Sequence, residues 1–341
     1  MGPLWQVRRE LMLVGAGRRA GQGDFLYTGA MKIRRGGTIS DDVVDKRAET
    51  RAAAGTGGLS IPGGAKGGIG GIIIALILAL LGGSQLLGGG SGGGGLGDIL
   101  GKSLSGVQPT DSLSTAVPGA PDPDADQIEW ISYVLDDIQD SWTAQFQQGG
   151  GTYERAKLIL FEQGVNTGGC GFAPSEVGPF YCPADKRVYI DLSFFRELSE
   201  RFGAPGDFAQ AYVLAHEIGH NVQMLLGLSD MVERASRRSE REGNRMSVKL
   251  ELQADCFAGV WANRANRQGN VLEAGDVEEG LAAANAVGDD TLQRQSGGGV
   301  VPDSFTHGSS AERMRWFRRG LESGDPEQCD TFGTGVFNRN R

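Results

Sequence analysis

The chain has 341 residues, a formal net charge of −9 and 56 glycines, 19 of which fall within residues 51–100. Hydrophobic residues make up 39% and charged residues 22%, which is enough for a soluble core but leaves the glycine-rich stretch outside it. Residues 1–67 carry a net charge of +5 and the remainder −14, so the acidic main body excludes nucleic acid as a partner, because phosphate binding needs a basic face.

Residues 1–67 form a basic segment that we expect to be mostly disordered, and an apolar run follows it. No charged residue occurs between Lys66 and Asp98, and the centre of the run, IIIALILALL, is wholly aliphatic. Residues 68–88 are long enough to cross about 30 Å of hydrocarbon as one transmembrane helix. A signal-peptide core is the alternative, which the long charged segment before the run disfavours.

Basic residues before the run indicate its orientation. The positive-inside rule predicts a cytoplasmic N-terminus and an extracytoplasmic body, hence a single-pass membrane protein that contacts the lipid bilayer through one helix. The start of the protein stays open between Met1 and Met31, and so does the oligomeric state.

Residues 89–125 are rich in Gly, Ser and Pro and are interpreted as a flexible linker, so the folded domain is expected at 126–341. Apolar spacing and composition predict helices at 126–147, 207–227, 230–266 and 276–287. Short strands are predicted at 157–161 and 187–192. The predicted fold class is α+β, a helix-dominated domain with a small sheet, preceded by a single transmembrane helix.

Four cysteines occur in the chain, none of them as a C-x-x-C pair, which argues against a structural zinc site. In an oxidising compartment two disulfides are expected, with three possible pairings. Pairing Cys170 with Cys182 closes a short loop and leaves Cys256 for Cys329. Four reduced, buried thiols are the alternative.

Two of the three histidines lie in one motif, His216-Glu217-Ile218-Gly219-His220. On a helix this H-E-x-x-H spacing places both imidazoles on one face, where they can bind Zn²⁺, and Glu217 can act as general base. Short motifs also occur by chance, but the residues around this one are strongly apolar. Both histidines are therefore expected to point inward and to need a metal.

A catalytic zinc ion requires a third protein ligand. The extended H-E-x-x-H-x-x-G-x-x-H class is excluded because its later positions hold Gln223 and Leu226. Glu251 and Asp255 lie four residues apart in an otherwise apolar helix, where a buried carboxylate needs a partner. We assign Glu251 as ligand and Asp255 as the group that orients a histidine. The reverse assignment and a buried salt bridge to an arginine remain open.

With these residues the chain resembles the bacterial neutral zinc metallopeptidases of the YpfJ type, which are membrane-anchored by prediction. The resemblance covers 31–35 and 41–47 and then roughly 126–333, and its most specific pieces lie at 170–171, 178–183, 188–191, 216–220, 251–256 and 302–309. The resemblance implies a zincin-like peptidase domain with a downstream glutamate ligand. The Glu-x-x-Ala-Asp pattern is also similar to that of the heat-shock and CAAX-type membrane metalloproteases, whose third zinc ligand is this glutamate.

The predicted function is a membrane-anchored zinc metalloendopeptidase, gluzincin-like, that hydrolyses peptide or protein substrates by a zinc-activated water with Glu217 as general base. His307 is the candidate donor to the developing oxyanion, and a structural or helix-capping role is its alternative. The strand at 188–192 is either an edge that receives substrate or a central strand. A zinc-binding scaffold without proteolysis is the rival function, and a purely structural zinc is a third reading.

Overall fold

A computed structural model describes residues 31, 38–55, 121–269, 271–297 and 299–335. Within those ranges no helix is both long and apolar enough to cross a bilayer. The predicted anchor at 68–88 and almost all of the predicted linker lie outside the described residues. What is described is a helix-dominated α+β fold with a small sheet, as predicted.

Helices make up most of the fold. They are α1 (Arg47–Gly55), α2 (Ala125–Gln148), α3 (Ser193–Glu200), α4 (Asp207–Leu225), α5 (Ser229–Ser236), α6 (Glu240–Gly269), α7 (Asp276–Ala286), α8 (Asp289–Gln295) and α9 (Ser310–Ser323). The predicted helices at 126–147, 207–227 and 276–287 are confirmed as α2, α4 and α7. The one predicted at 230–266 is two helices, because the chain turns at 237–239 and α5 packs against α6.

Two small sheets accompany the helices. The strands are β1 (Val43–Asp45), β2 (Lys157–Phe161), β3 (Gly164–Asn166), β4 (Phe172–Pro174), β5 (Phe180–Cys182) and β6 (Arg187–Asp191). One sheet has the order β1-β2-β6-β5, in which only β5 runs antiparallel, and β3 pairs with β4. Because β6 pairs with β2 and β5, it is a central strand and cannot receive an extended substrate.

The four-stranded sheet separates two apolar clusters. Side chains alternate along β2, so Leu158 and Leu160 face the main core with the helices, whereas Ile159 and Phe161 face a smaller core with β3 and β4. The buried residues of α2, with the apolar spacing seen in the sequence, complete the main core against this face. The sheet thus supports the helical layer that carries the site.

Strand β1 belongs to the folded domain, which corrects the predicted domain boundary at residue 126. Its residues 43–45 pair in parallel with 158–160 of β2. Arg47, 5% exposed, forms ion pairs with Asp45, Asp122 and Asp124, the last at 2.6 Å. The expectation of disorder therefore does not hold for 38–55, and Arg47 joins the two ends of the interval 56–120.

The same pairing constrains the predicted membrane topology. Residues 43–45 precede the apolar run at 68–88 and residues 157–161 follow it, yet the two strands lie side by side. A chain that crossed a bilayer once between them would place them on opposite faces. A single-pass arrangement with 38–55 in the cytoplasm and the domain outside is therefore incompatible with this sheet.

Glycines bring three helices into close contact around the site. A side chain at Gly259 of α6 would overlap the backbone of α9 at Phe317, and one at Gly320 of α9 would overlap the backbone of α6 at Cys256. Within the H-E-x-x-H motif, Gly219 faces Ala254 of α6. The close crossings allow α6 to reach the motif helix α4 on one side and α9 on the other.

Two disulfide bonds are present, with the pairing that the loop lengths suggested. Cys170 pairs with Cys182, and Cys256 pairs with Cys329. No free thiol occurs among the cysteines of the chain, so the alternative of four reduced thiols is not what the structure has. The second bond attaches the chain after α9 to the middle of α6.

Candidate metal centre

Three acceptor groups converge between α4 and α6. The Nε2 atom of His216 lies 3.2 Å from Glu251 Oε2, and Nε2 of His220 lies 3.5 Å from Glu251 Oε1. The two imidazole rings stand perpendicular, with centroids 4.8 Å apart. All three residues offer ligand atoms within 4.8 Å of one another, and His216 and Glu251 are buried. The helical spacing of the motif and the position of Glu251 on α6 produce this convergence.

Outer hydrogen bonds orient both imidazoles. His216 Nδ1 lies 2.8 Å from Asp255 Oδ1, and His220 Nδ1 lies 2.8 Å from Gln223 Oε1. The Gln223 amide is itself fixed, because its Nε2 donates to the Leu250 carbonyl at 2.6 Å. Because Asp255 and the Gln223 carbonyl oxygen accept hydrogen bonds, each Nδ1 donates, which leaves each Nε2, facing Glu251, as the nitrogen that can bind a metal.

This donor set fits a zinc ion. Two neutral imidazole nitrogens and one carboxylate form a ligand set that Zn²⁺ accepts, with a further position for water. Three groups that all accept hydrogen bonds stay together in an apolar interior only when a cation or protons hold them. His216, His220 and Glu251 would hold the ion, while Asp255 and Gln223 would fix the imidazoles.

Arg313 of α9 supplies a buried cation beside this cluster. Its Nε and Nη2 each lie 2.8 Å from Asp255, and it is 2% exposed. The hydroxyl of Tyr212 also donates to Asp255, at 2.5 Å. Asp255 thus both orients His216 and pairs with an arginine, so two roles that looked like alternatives in the sequence occur together.

Burial and charge act in opposite directions on the protonation of the cluster. Burial disfavours the imidazolium, but hydrogen bonds and charges from Asp255 and Glu251 outweigh it and raise the pKa of His216 to about 10. Burial also opposes ionisation of Glu251, but His220 and His216 outweigh it and lower the pKa of that carboxyl. A site this favourable to positive charge suits a metal cation, which competes with the proton for the same nitrogen.

Glu217 follows His216 on α4 and is 7% exposed. Burial raises the pKa of its carboxyl, although the neighbouring His220 and His216 lower it in part. A carboxyl with a raised pKa accepts a proton more readily than an exposed one, which is the property a general base requires.

His307 lies in the loop before α9 and is held by Asp289 at the start of α8. Its Nδ1 is 2.9 Å from Asp289 Oδ1, and the other oxygen of Asp289 accepts the backbone N–H groups of Thr306, His307 and Gly308. The N-cap of α9 is Ser309, which forms a capping box with Glu312, so a helix-capping role for His307 is excluded. Burial lowers the pKa of His307, but Asp289 outweighs it, and Glu251 is close enough to raise that pKa further.

A family profile matches residues 31–332, and the family is described as "Putative neutral zinc metallopeptidase". The chain belongs to this family. The uncharacterized protein YpfJ of Escherichia coli is 50% identical over 242 residues, which cover 70% of this chain and 81% of the relative. An uncharacterized protein of Mycobacterium tuberculosis is 47% identical over 190 residues, 53% of this chain and 63% of the relative. No solved structure matches.

Membership of the neutral zinc metallopeptidase family implies zinc as the cofactor and peptides or proteins as the class of substrate. The family resemblance seen in the sequence is therefore confirmed. The profile also includes residues 31–55, in agreement with the position of β1 in the sheet.

The residues that support the cluster are not marked by any motif in the sequence. Arg313, Tyr212 and Asp289 belong to none of the predicted site patterns, and Gln223 enters only as a position that excludes another ligand class. Gln223 carried a usable signal, since a polar side chain one turn after His220 on an apolar helix can reach its ring nitrogen. Arg313 carried none, because α9 contains several arginines and only the crossing with α6 distinguishes one of them.

Proposed function

We propose that this domain is a metalloendopeptidase that hydrolyses peptide bonds, with His216, His220 and Glu251 as its zinc ligands. The observation that carries the proposal is the convergence of two Nε2 lone pairs and one carboxylate beside the buried Glu217. A purely structural metal site does not require a buried, proton-accepting carboxyl such as Glu217 next to its first ligand, His216.

Several residues around the zinc ligands would take separate roles in hydrolysis. Bound zinc would supply a Lewis acid that polarises the scissile carbonyl and lowers the pKa of water. Glu217 takes a proton from the attacking water and delivers it to the amine that leaves. Asp255 and Gln223 keep the imidazoles in the tautomer that binds metal, and Arg313 balances the charge of Asp255.

We assign His307 as a donor to the oxygen that gains charge during attack. Asp289 accepts a hydrogen bond from Nδ1 at 2.9 Å, and despite burial Asp289 and Glu251 raise the pKa of His307, which favours the imidazolium whose Nε2–H can donate into the site. Donors of this kind contribute roughly 10²–10³ in kcat. His307→Gln is expected to lower kcat within that range and to leave zinc binding unchanged. An unchanged kcat would overturn the assignment.

Metal content and peptide-library cleavage of the full chain test the main proposal, with Glu217→Gln as the matched variant. We expect one zinc ion per chain in both proteins and cleavage by the wild type alone, with a loss of roughly 10²–10⁴ in rate. Zinc in both and cleavage in neither would favour the scaffold function instead. A folded, zinc-free wild type would contradict both functions.

We further propose that the apolar run at 68–88 attaches the protein to a membrane and that residues 38–55 and 121–335 share one side of it. The aliphatic sequence supports attachment, β1 in the sheet requires a common side, and two disulfides favour the extracytoplasmic side. Reporter fusions at each terminus of the full chain should report the same side. Reporters on opposite sides would contradict this topology.

A further inference from the structure

A second group of acceptors lies at the N-terminus of α4, away from the histidines. Asp207, Asp276 and Glu279 offer carboxylate oxygens within 4.8 Å of one another. Glu279 accepts the backbone N–H of Phe208 at 3.2 Å and lies against Gly206, where a side chain would collide with it. Glu279 therefore satisfies the positive end of the helix, and the other two carboxylates need a different partner.

The described part of the chain offers these carboxylates no compensating positive charge. Across the described ranges no lysine or arginine forms an ion pair with any of the three, and the charges acting on them include Glu273 and Glu278, which are also acidic. Asp276 is fully buried, yet its Oδ1 has no hydrogen-bond partner among the residues that the structure describes, and neither has Oδ1 of Asp207. A buried carboxylate oxygen without a donor is costly, so the group requires a cationic hydrogen-bond donor.

One nitrogen already points into the group. The backbone N of Met31 donates to Asp207 Oδ2 at 2.8 Å, and the Met31 side chain, 5% exposed, packs into the main core. The family profile begins at this residue. As an amide this nitrogen has one hydrogen and no charge. As a free α-amino group it would have three hydrogens and a positive charge, enough to satisfy the orphaned oxygens.

We propose that Asp207, Asp276 and Glu279 form a binding site for a primary ammonium group, the α-amino group of a chain that begins at Met31. Asp207 is the first residue of the helix that carries His216, Glu217 and His220. Docking the chain terminus there therefore fixes the start of the motif helix. A chain that extends before Met31 keeps an uncharged amide at this position, which offers the carboxylates one hydrogen instead of three.

Labelling of the α-amine by reductive methylation tests the proposal. The reagent attacks only the uncharged amine, and each unit by which a pKa rises slows labelling tenfold. For the chain beginning at Met31, we expect the native protein to react at least about tenfold more slowly than the same protein unfolded in urea. Asp276→Asn should remove most of this protection, whereas Glu240→Gln, the same chemical change at the exposed first residue of α6, should leave it intact.

Thermal unfolding of the chain beginning at Met31 and of the full chain provides the second measurement. The shorter chain retains every described residue and is expected to unfold at the higher temperature, with a smaller gap in Asp276→Asn. Equal labelling of native and unfolded protein would overturn the proposal. So would a Ca²⁺-dependent stabilisation of both chains that Asp276→Asn abolishes, since the group would then be a metal site.

Discussion

Acceptor groups cluster at two places along α4, and their negative charge is compensated in different ways at the two places. Near the C-terminal end, Asp255 is paired with Arg313 and orients His216, so the buried groups there have fixed partners. At the N-terminal end, Asp207 and Asp276 each bury an oxygen with no hydrogen-bond partner in the described ranges. Proximity of acidic groups therefore does not identify a metal centre by itself.

Orientation by outer partners is what distinguishes the two groups. The imidazoles have their protons fixed on Nδ1, which leaves directed lone pairs suited to a metal. Among the described residues, the acidic group receives backbone N–H groups alone, including those of Met31, Phe208 and Glu273, and no described side chain sets the direction of its carboxylates. The oriented imidazoles suit a metal ion that requires a defined ligand geometry. The carboxylates suit an ammonium group, whose three N–H donors can point in several directions.

Removing the buried arginine should give the largest effect on stability. Arg313→Met keeps the apolar stem but leaves Asp255 charged and unpaired in the core, and breaking a buried pair in this way costs about 3–5 kcal/mol of unfolding free energy. Urea unfolding of the full chain measures the loss. Arg315→Met, an exposed position on the same helix, is the control and should change little. Equal losses in the two variants would show that Arg313 is not the counter-charge of the site.

Loss of the amide that orients His220 should have a smaller effect, which is measured on metal affinity. Gln223→Ala frees the Nδ1 of His220, and loss of such an orienting group lowers metal affinity by about 10–100-fold. Competition with a chromogenic zinc chelator measures the affinity. Gln210→Ala, on the same helix but bonded to Gln127, should leave the affinity unchanged. Full affinity in the Gln223 variant would contradict the fixed tautomer.

The smallest expected effect is a pH dependence of the unfolding free energy that arises from Asp276, near the N-terminus of α4. Burial raises the pKa of Asp276 in the full chain, so the folded state holds its proton more tightly than the unfolded state. Its contribution to stability is present below the ordinary carboxyl pKa of about 4 and is lost as the pH rises through the raised value. Asp276→Asn should flatten this fall in unfolding free energy. In the chain beginning at Met31, the α-ammonium group should make this fall in unfolding free energy smaller. Identical pH profiles for the wild type and Asp276→Asn would show that Asp276 is not its cause.

The helices, strands and site residues that are defined by a local sequence pattern could be predicted. The apolar spacing of α2 and the composition of β2 predicted both elements almost to the residue. The motif spacing brought His216 and His220 together, and the apolar surroundings of Glu251 predicted its burial. In each case the decisive contacts lie within one helix turn or one buried face.

The remainder depends on contacts that no local pattern contains. Strand β1 is three residues long, too short for a periodic signal, and its partner β2 lies beyond the apolar run. Arg313 pairs with a residue 58 positions earlier, and its selection among the arginines of α9 follows from the glycine-mediated crossing of α6 and α9. The predicted membrane topology conflicts with the sheet for the same reason, because a bias in charge contains no information about the pairing of β1 with β2.

Arg47, which joins Asp122 and Asp124, holds the two flanks of the interval 56–120 at one place on the domain. The entropic cost of closing a loop grows with the logarithm of its length, by about 0.6 kcal/mol for each doubling. Insertions and deletions between these ends therefore change the stability of the domain very little. The length and composition of this stretch can diverge between relatives while the enzyme fold that it interrupts stays the same.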